Sequence, residues 1–219
     1  MNRNLFLARL GPPLFDRPLT RRQRRGVHGL LDAFVQHGDG RADTLAYGLA
    51  TVYHETGKLM VPVREGFARS DASARAKVRR LAARRGPGSG PARYGQPAGP
   101  HGHVYYGRGH VQLTWAANYD RCSVDAGVDL LADPDAMLDA EISARLLWRG
   151  LLDGRWNPEG HGLRQYLDQG DVVGARYCVN LTDRAEDLAR YHAVFLAAVE
   201  AAGGVPVTLS PTGRRRAAG

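Results

Sequence analysis

The sequence predicts a mainly α-helical domain with at most a small β-hairpin. Apolar residues recur at helical spacing in four stretches, 27–34, 45–53, 142–151 and 188–199. Start and stop signals bracket them: Thr20-x-x-Gln23, Asp133-Pro134 and Asp183-x-x-Glu186 at the front, Gly38, Gly127, Gly154 and Gly203 at the back. Strand alternation is scarce, and only residues 60–67 and 104–113 suit a short hairpin.

Residues 1–19, with Pro12, Pro13 and Pro18, read as an irregular lead-in, and 20–204 as the folded domain. Thr20 and Gln23 form a capping-box pattern ahead of the stripe Val27, Leu30, Leu31 and Phe34. The next helix, which Asp43 can cap, is the most informative. Leu45, Ala46, Leu49, Ala50, Val52 and Tyr53 make it apolar on most of its circumference, which places it in the interior. It ends at Gly57 and Pro62 and delivers His54-Glu55 there. Burial and the negative helix end both disfavour a charged carboxylate, so Glu55 has the surroundings of an acid kept protonated near neutrality. Glu65 follows in a loop. Two carboxyl groups in unlike environments are what acid/base hydrolysis needs.

Ser70 or Asp71 then opens a basic helix with Arg75, Lys77, Arg79, Arg80, Arg84 and Arg85; a solvated face is its first reading and a polyanion-binding face its second. In residues 86–103 ten of eighteen positions are Gly or Pro, a composition that excludes a helix and suits the wall or lid of a groove. Helices follow over 116–126 and up to Gly154. Two short ones are expected over 162–169 and 171–179. The last has Leu188, Tyr191, Phe195 and Val199 inward, and 205–219 reads as a basic flexible tail.

At 219 residues and a formal charge of +8, the chain is long enough for one sizeable core or two lobes sharing a cleft, and its charge points to an anionic partner. Cys122 and Cys178 imply neither a disulfide framework nor a metal site, and reduced thiols suit synthesis in a cytosol. No run reaches the length of a membrane span, and the apolar stretch broken by Arg9 is too short for a signal peptide. No stable membrane insertion is expected. Nucleic acid has charge alone in its favour, without a reading helix or a single-strand platform.

His54-Glu55 lacks the second His of a zincin, since position 58 is Lys58. His101, His103 and His110 lie in or beside a Gly/Pro loop, where substrate-facing or solvated roles outweigh metal binding; no metal or cofactor is expected. Cys178 reads as a small buried thiol. The stretch 105–119, YYGRGHVQLTWAANY, brings the backbone close to something at Gly107 and Gly109. It also alternates the aromatic faces of Tyr106, Trp115 and Tyr119 with amides and hydroxyls, the mixture that sugar rings ask for.

YHETG followed by YYGRGHVQLTWAANY, then YCVN and ARYHAVF, resembles glycoside hydrolase family 19, the chitinase and phage-endolysin family. The resemblance implies a lysozyme-like, two-lobed helical domain with a substrate cleft. It implies Glu55 as general acid, Glu65 as general base, and Thr114 helping to hold the attacking water. Gln112, Asn118 and Asn180 would line the sugar cleft, and Arg190 would steady the carboxylates. His54 would pack or hydrogen-bond near Glu55. His110 stands where proline is usual, and Leu181-Thr182 replace a Gly-Gly pair. Inverting hydrolysis, which this family implies, needs carboxyl groups about 6.5–9.5 Å apart.

The expected partner is therefore a polysaccharide, and the expected enzyme a monomeric glycosidase. Chitin is neutral whereas bacterial wall carries carboxylates, so the basic charge favours peptidoglycan, with chitin or an inactive wall-binding role as alternatives. The expected site of action is the cell wall, reached from the cytoplasm through a membrane lesion.

Overall fold

The computed structural model describes residues 1–206. Among these the chain forms α1 (Arg3–Leu10), α2 (Arg21–His37), α3 (Ala42–Glu55), β1 (Val63–Arg64), α4 (Asp71–Arg85), α5 (Gly90–Tyr94), β2 (Arg108–Gly109), α6 (Ala116–Ala126), α7 (Ala140–Leu152), α8 (Leu163–Leu167), α9 (Tyr177–Asn180) and α10 (Ala185–Ala201). The fold is mainly α, as expected.

α3 is the central element. Every residue from Thr44 to Tyr53 is buried, and the helix packs along α10 and against α2, α7 and α8. Its buried hydroxyls are satisfied locally: Thr51 donates to the Tyr47 carbonyl and Thr44 to Asp39. The start differs from expectation. Arg41, not Asp43, is the N-cap, its N–H donating to Asp39, while Asp43 sits in the first turn and takes Arg164 of α8 at 2.9 Å. The end behaves as the glycine demands. Gly57 takes a positive φ of 54°, and Thr56 closes the turn by accepting from the Met60 N–H. Gln23, whose capping box with Thr20 opens α2, also donates to the Lys58 carbonyl and so ties down the loop that follows Glu55.

β1 and β2 form a two-stranded antiparallel ladder with Val63 opposite Gly109 and Arg64 opposite Arg108. A small apolar cluster of Ala74, Val78, Val104 and Tyr106 lies beside this hairpin, apart from the main core built on α3. These two cores are the two lobes.

Three other expectations need correction. Residues 1–19 are not irregular: α1 is capped by Asn2, packs on α10 and buries Phe6, Leu7 and Leu10, and a π-helical turn over Gly11–Phe15 buries Leu14 and Phe15. The Gly/Pro stretch does hold one short helix, α5, with Pro91 in its first turn. α10 is not capped by Asp183; its N-cap is Arg184 in a left-handed conformation, without a side-chain cap. Residues 207–219, most of the expected basic tail, lie outside the described residues.

Candidate active site

A groove of about 460 Å³ gathers Glu55, Glu65, Gln112, Thr114, Trp115, Asn118 and Asn180, all singled out in the sequence. α3 brings Glu55, the segment after β1 brings Glu65, the turn after β2 brings Gln112 and Thr114, and α6 and α9 bring the two asparagines.

Glu65 is fixed by two donors. The Tyr94 hydroxyl donates to its Oε1 at 2.6 Å and the Gly107 N–H to its Oε2 at 2.9 Å. Gly107 lets the main chain pass close to Gln112: an added Cβ would stand 2.9 Å from the Gln112 Oε1 and push that side chain from its place in the groove. Burial and the neighbouring carboxylate push the Tyr94 hydroxyl well above its ordinary range, so it remains a donor.

Glu55 is held differently. Its carboxylate, 14% exposed, lies 2.8 Å from the guanidinium of Arg176, which is 1% exposed. Neither Glu55 Oε1 nor the terminal nitrogens of Arg176 have a hydrogen-bond partner among the described residues, so this contact is an ion pair without hydrogen-bond alignment. Arg176 Nε donates to the Asp183 carbonyl, which anchors the cation. Beside the burial and the helix end read from the sequence, Glu55 therefore faces a buried cation that the sequence did not reveal. Arg190 does not have that position. It is 67% exposed and pairs with Asp187 in the first turn of α10.

The polar lining is committed to the main chain through its donors. Gln112 Nε2 donates to the Val63 and Gly109 carbonyls, Thr114 to the Gln112 carbonyl, and Asn118 to the Thr114 carbonyl. Gln112 and Thr114 are left to offer a ligand lone pairs, suited to sugar hydroxyls, an acetamido N–H or a water, while Asn118 offers its amide oxygen and one remaining N–H. Gln112 and Trp115 reach the groove from positive φ values of 52° and 77°. Such backbone strain concentrates at functional sites.

Tyr106 and Tyr119 are not in the groove. Both are fully buried, and the Arg108 guanidinium stands 3.6 Å from the Tyr106 ring centroid and 5.8 Å from that of Tyr119. Asp135 and Asp71, both partly exposed, pair with the buried Arg108 at 2.8 and 3.3 Å. The aromatic alternation of the motif therefore builds the wall behind Glu65, and of the three rings only Trp115 faces the groove. His54 lies outside the lining, packed beside Tyr191, and burial lowers its pKa from the ordinary imidazole value. Both cysteines are free and buried, and burial pushes the Cys178 thiol up to about 12. Among the described residues no three His, Cys, Asp or Glu are grouped to hold a metal.

Sequence reasoning missed Arg176, Tyr94 and Trp156, the last of which also lines the groove. Arg176 is one of thirty Lys and Arg residues, with nothing in its local sequence to mark it as buried. Tyr94 was a signal available in the sequence: a lone aromatic within a Gly/Pro loop.

Over 81 residues the chain is 36% identical to inactive chitinase-like protein 1 of Hevea brasiliensis, and over 91 residues 35% identical to endochitinase CH5B of Phaseolus vulgaris. These alignments take in 31% and 41% of this chain, and the chain spans only about a quarter of either relative, 26% and 25%. Its fold is similar to that of a bacterial family 19 chitinase, with a TM-score of 0.56 at 22% identity over 94% of this chain and 97% of the other. Chitinase C from Streptomyces griseus HUT6037 gives a TM-score of 0.52 at 20% identity, over 94% of this chain and 78% of that one. The family model described as Chitinase class I matches residues 36–163, more than half of the sequence. The chain belongs to glycoside hydrolase family 19.

Proposed function

We propose that the protein is a monomeric glycosidase that cleaves β-1,4 bonds of N-acetylated glycan by single displacement. The observation that carries this is the convergence of Glu55 and Glu65, from separate elements, on one groove with a polar, acceptor-rich lining. Glu55 protonates the glycosidic oxygen, and Arg176 stabilises the carboxylate that remains. Glu65, fixed by Tyr94 and Gly107, takes the proton of the attacking water, which Thr114 helps to hold.

Peptidoglycan is the substrate we favour, on the strength of the +8 formal charge. Chitin is the second reading, favoured by the endochitinases among the relatives. The wall is reached after a membrane lesion opens the way; the two buried free thiols fit synthesis in a reducing compartment. Among the described residues no helix is long and apolar enough to cross a membrane.

Mass spectrometry of products from purified sacculi and from colloidal chitin tests the assignment. Release of muropeptides is expected, and Glu55→Gln is expected to lower kcat by about 10²–10⁴-fold while leaving wall binding intact. Chitin oligomers with intact sacculi would move the substrate to chitin. Products from neither would leave a binding protein, as the relative named inactive invites one to test.

A further inference from the structure

The exposed face of α4 beside the groove has no part in the mechanism above. Lys77, Arg80 and Arg84 fall at i, i+3 and i+7 on that helix and so share one face. Together with Val78, Leu81 and Ala83 they line a second depression of about 650 Å³. Glu65 borders both depressions, so the second adjoins the first across this residue. Lys77 is tied to the Glu65 loop by donating to the Gly66 carbonyl at 2.6 Å, whereas Arg80 and Arg84 pair with no carboxylate among the described residues. The acid of the first turn, Asp71, is engaged elsewhere by Arg75 and by buried Arg108. Two cations at i, i+4 repel one another along a helix, a cost that a bound anion relieves.

The geometry points to a docking site for a short acidic peptide branch carried by the glycan in the neighbouring groove. The apolar floor takes small alkyl side chains of the branch, and Arg80 and Arg84 take its carboxylates. Adjacency across Glu65 is the reason to choose a branch on the bound strand over an unconnected polyanion. The proposal rests on reading the first groove as a glycan site, and it makes the peptide a specificity element of that site.

Retention on peptidoglycan sacculi, measured by co-sedimentation at low salt in a Glu55→Gln background, reads this surface without hydrolysis. Arg80→Gln/Arg84→Gln is compared with Arg22→Gln/Arg25→Gln, which removes the same charge from exposed positions of α2 outside both depressions. Glutamine has nearly the helix propensity of arginine, so both variants should fold, and melting curves check it. The α4 pair is expected to weaken retention about tenfold and the α2 pair less than about twofold, as two lost charge contacts would give. On sacculi stripped of peptides by an amidase, the two variants should be indistinguishable. Equal losses in both variants, no loss in either, or an α4 effect that survives stripping would each overturn the site. Parallel turbidity assays of the active chain separate the two readings. Peptide-dependent retention without lysis removes peptidoglycan hydrolysis alone, while lysis without any α4 effect on retention removes this site alone.

Discussion

Glu65 accepts from one side-chain and one main-chain donor, and Glu55 meets a single buried cation. That asymmetry suits a division of labour, since a base must be aimed at one water while an acid must release and regain its proton. Tyr94 is where the aim can be tested. Tyr94→Phe keeps the ring against Trp115 but removes the hydroxyl, and hydrogen bonds to charged groups contribute about 1.5–3 kcal/mol. The expected result in steady-state kinetics is a fall in kcat of roughly tenfold with KM little changed. An unchanged kcat would show that Glu65 does not need this hold.

At the same scale lies the main failure of sequence reading. Arg190 and Arg176 are equally basic in the sequence, yet Asp187, three positions earlier on the same helix, captures the first, and folding buries the second. Tyr106 and Tyr119 show a related ambiguity. Aromatic rings interleaved with polar groups describe a sugar platform and a buried arginine sandwich equally well, and only packing decides between them.

Among elements, local rules were readable wherever they were self-contained. The capping box of Thr20 and Gln23, the span of α6 with Gly127 in a left-handed C-cap, and the burial of α3 follow from composition and spacing. α1 was not readable, because its apolar stripe is cut short by Pro12 and Pro13 and interrupted by Arg9. Its helical state depends on tertiary packing against α10.

Packing also overrides propensity at the contact of α3 with α7. Gly48 admits Trp148, whose ring atom Cζ3 would stand 2.0 Å from an added Cβ. That ring cannot move aside, because it stacks edge-on against Phe34 with centroids 4.8 Å apart and donates from Nε1 to the Leu30 carbonyl. Propensity alone favours alanine over glycine in a helix by about 1 kcal/mol. Gly48→Ala is nevertheless expected to destabilise by about 1–3 kcal/mol through overpacking, measured as a lower urea midpoint. A raised midpoint would mean that the two helices are not packed as described.

Over the whole molecule, burial sets the response to acid. It holds His37, His54, His110 and His192 below the ordinary imidazole value, His110 at about 4. The folded state therefore binds fewer protons than the unfolded chain below neutrality. This contribution is fully present above the ordinary imidazole pKa and is lost as pH falls through it toward the folded values. Asp135 adds in the same direction at lower pH: burial opposes its charge, but Arg64 and Arg108 outweigh that and lower its pKa. The thermal midpoint is expected to fall continuously between about pH 7 and pH 4. A midpoint that is flat or rises on acidification would contradict the buried neutral histidines.

The two-lobed layout was legible because family motifs mark both walls of the groove, whereas the partners that hold each carboxylate were not, since they arrive from distant segments. The proposal that a water sits between Glu55 and Glu65 is tested most directly by the anomeric form of the first product. Proton NMR at early times, on N-acetylated β-1,4 glycan, should show newly released reducing ends as the α-anomer. Release of the β-anomer would contradict the account.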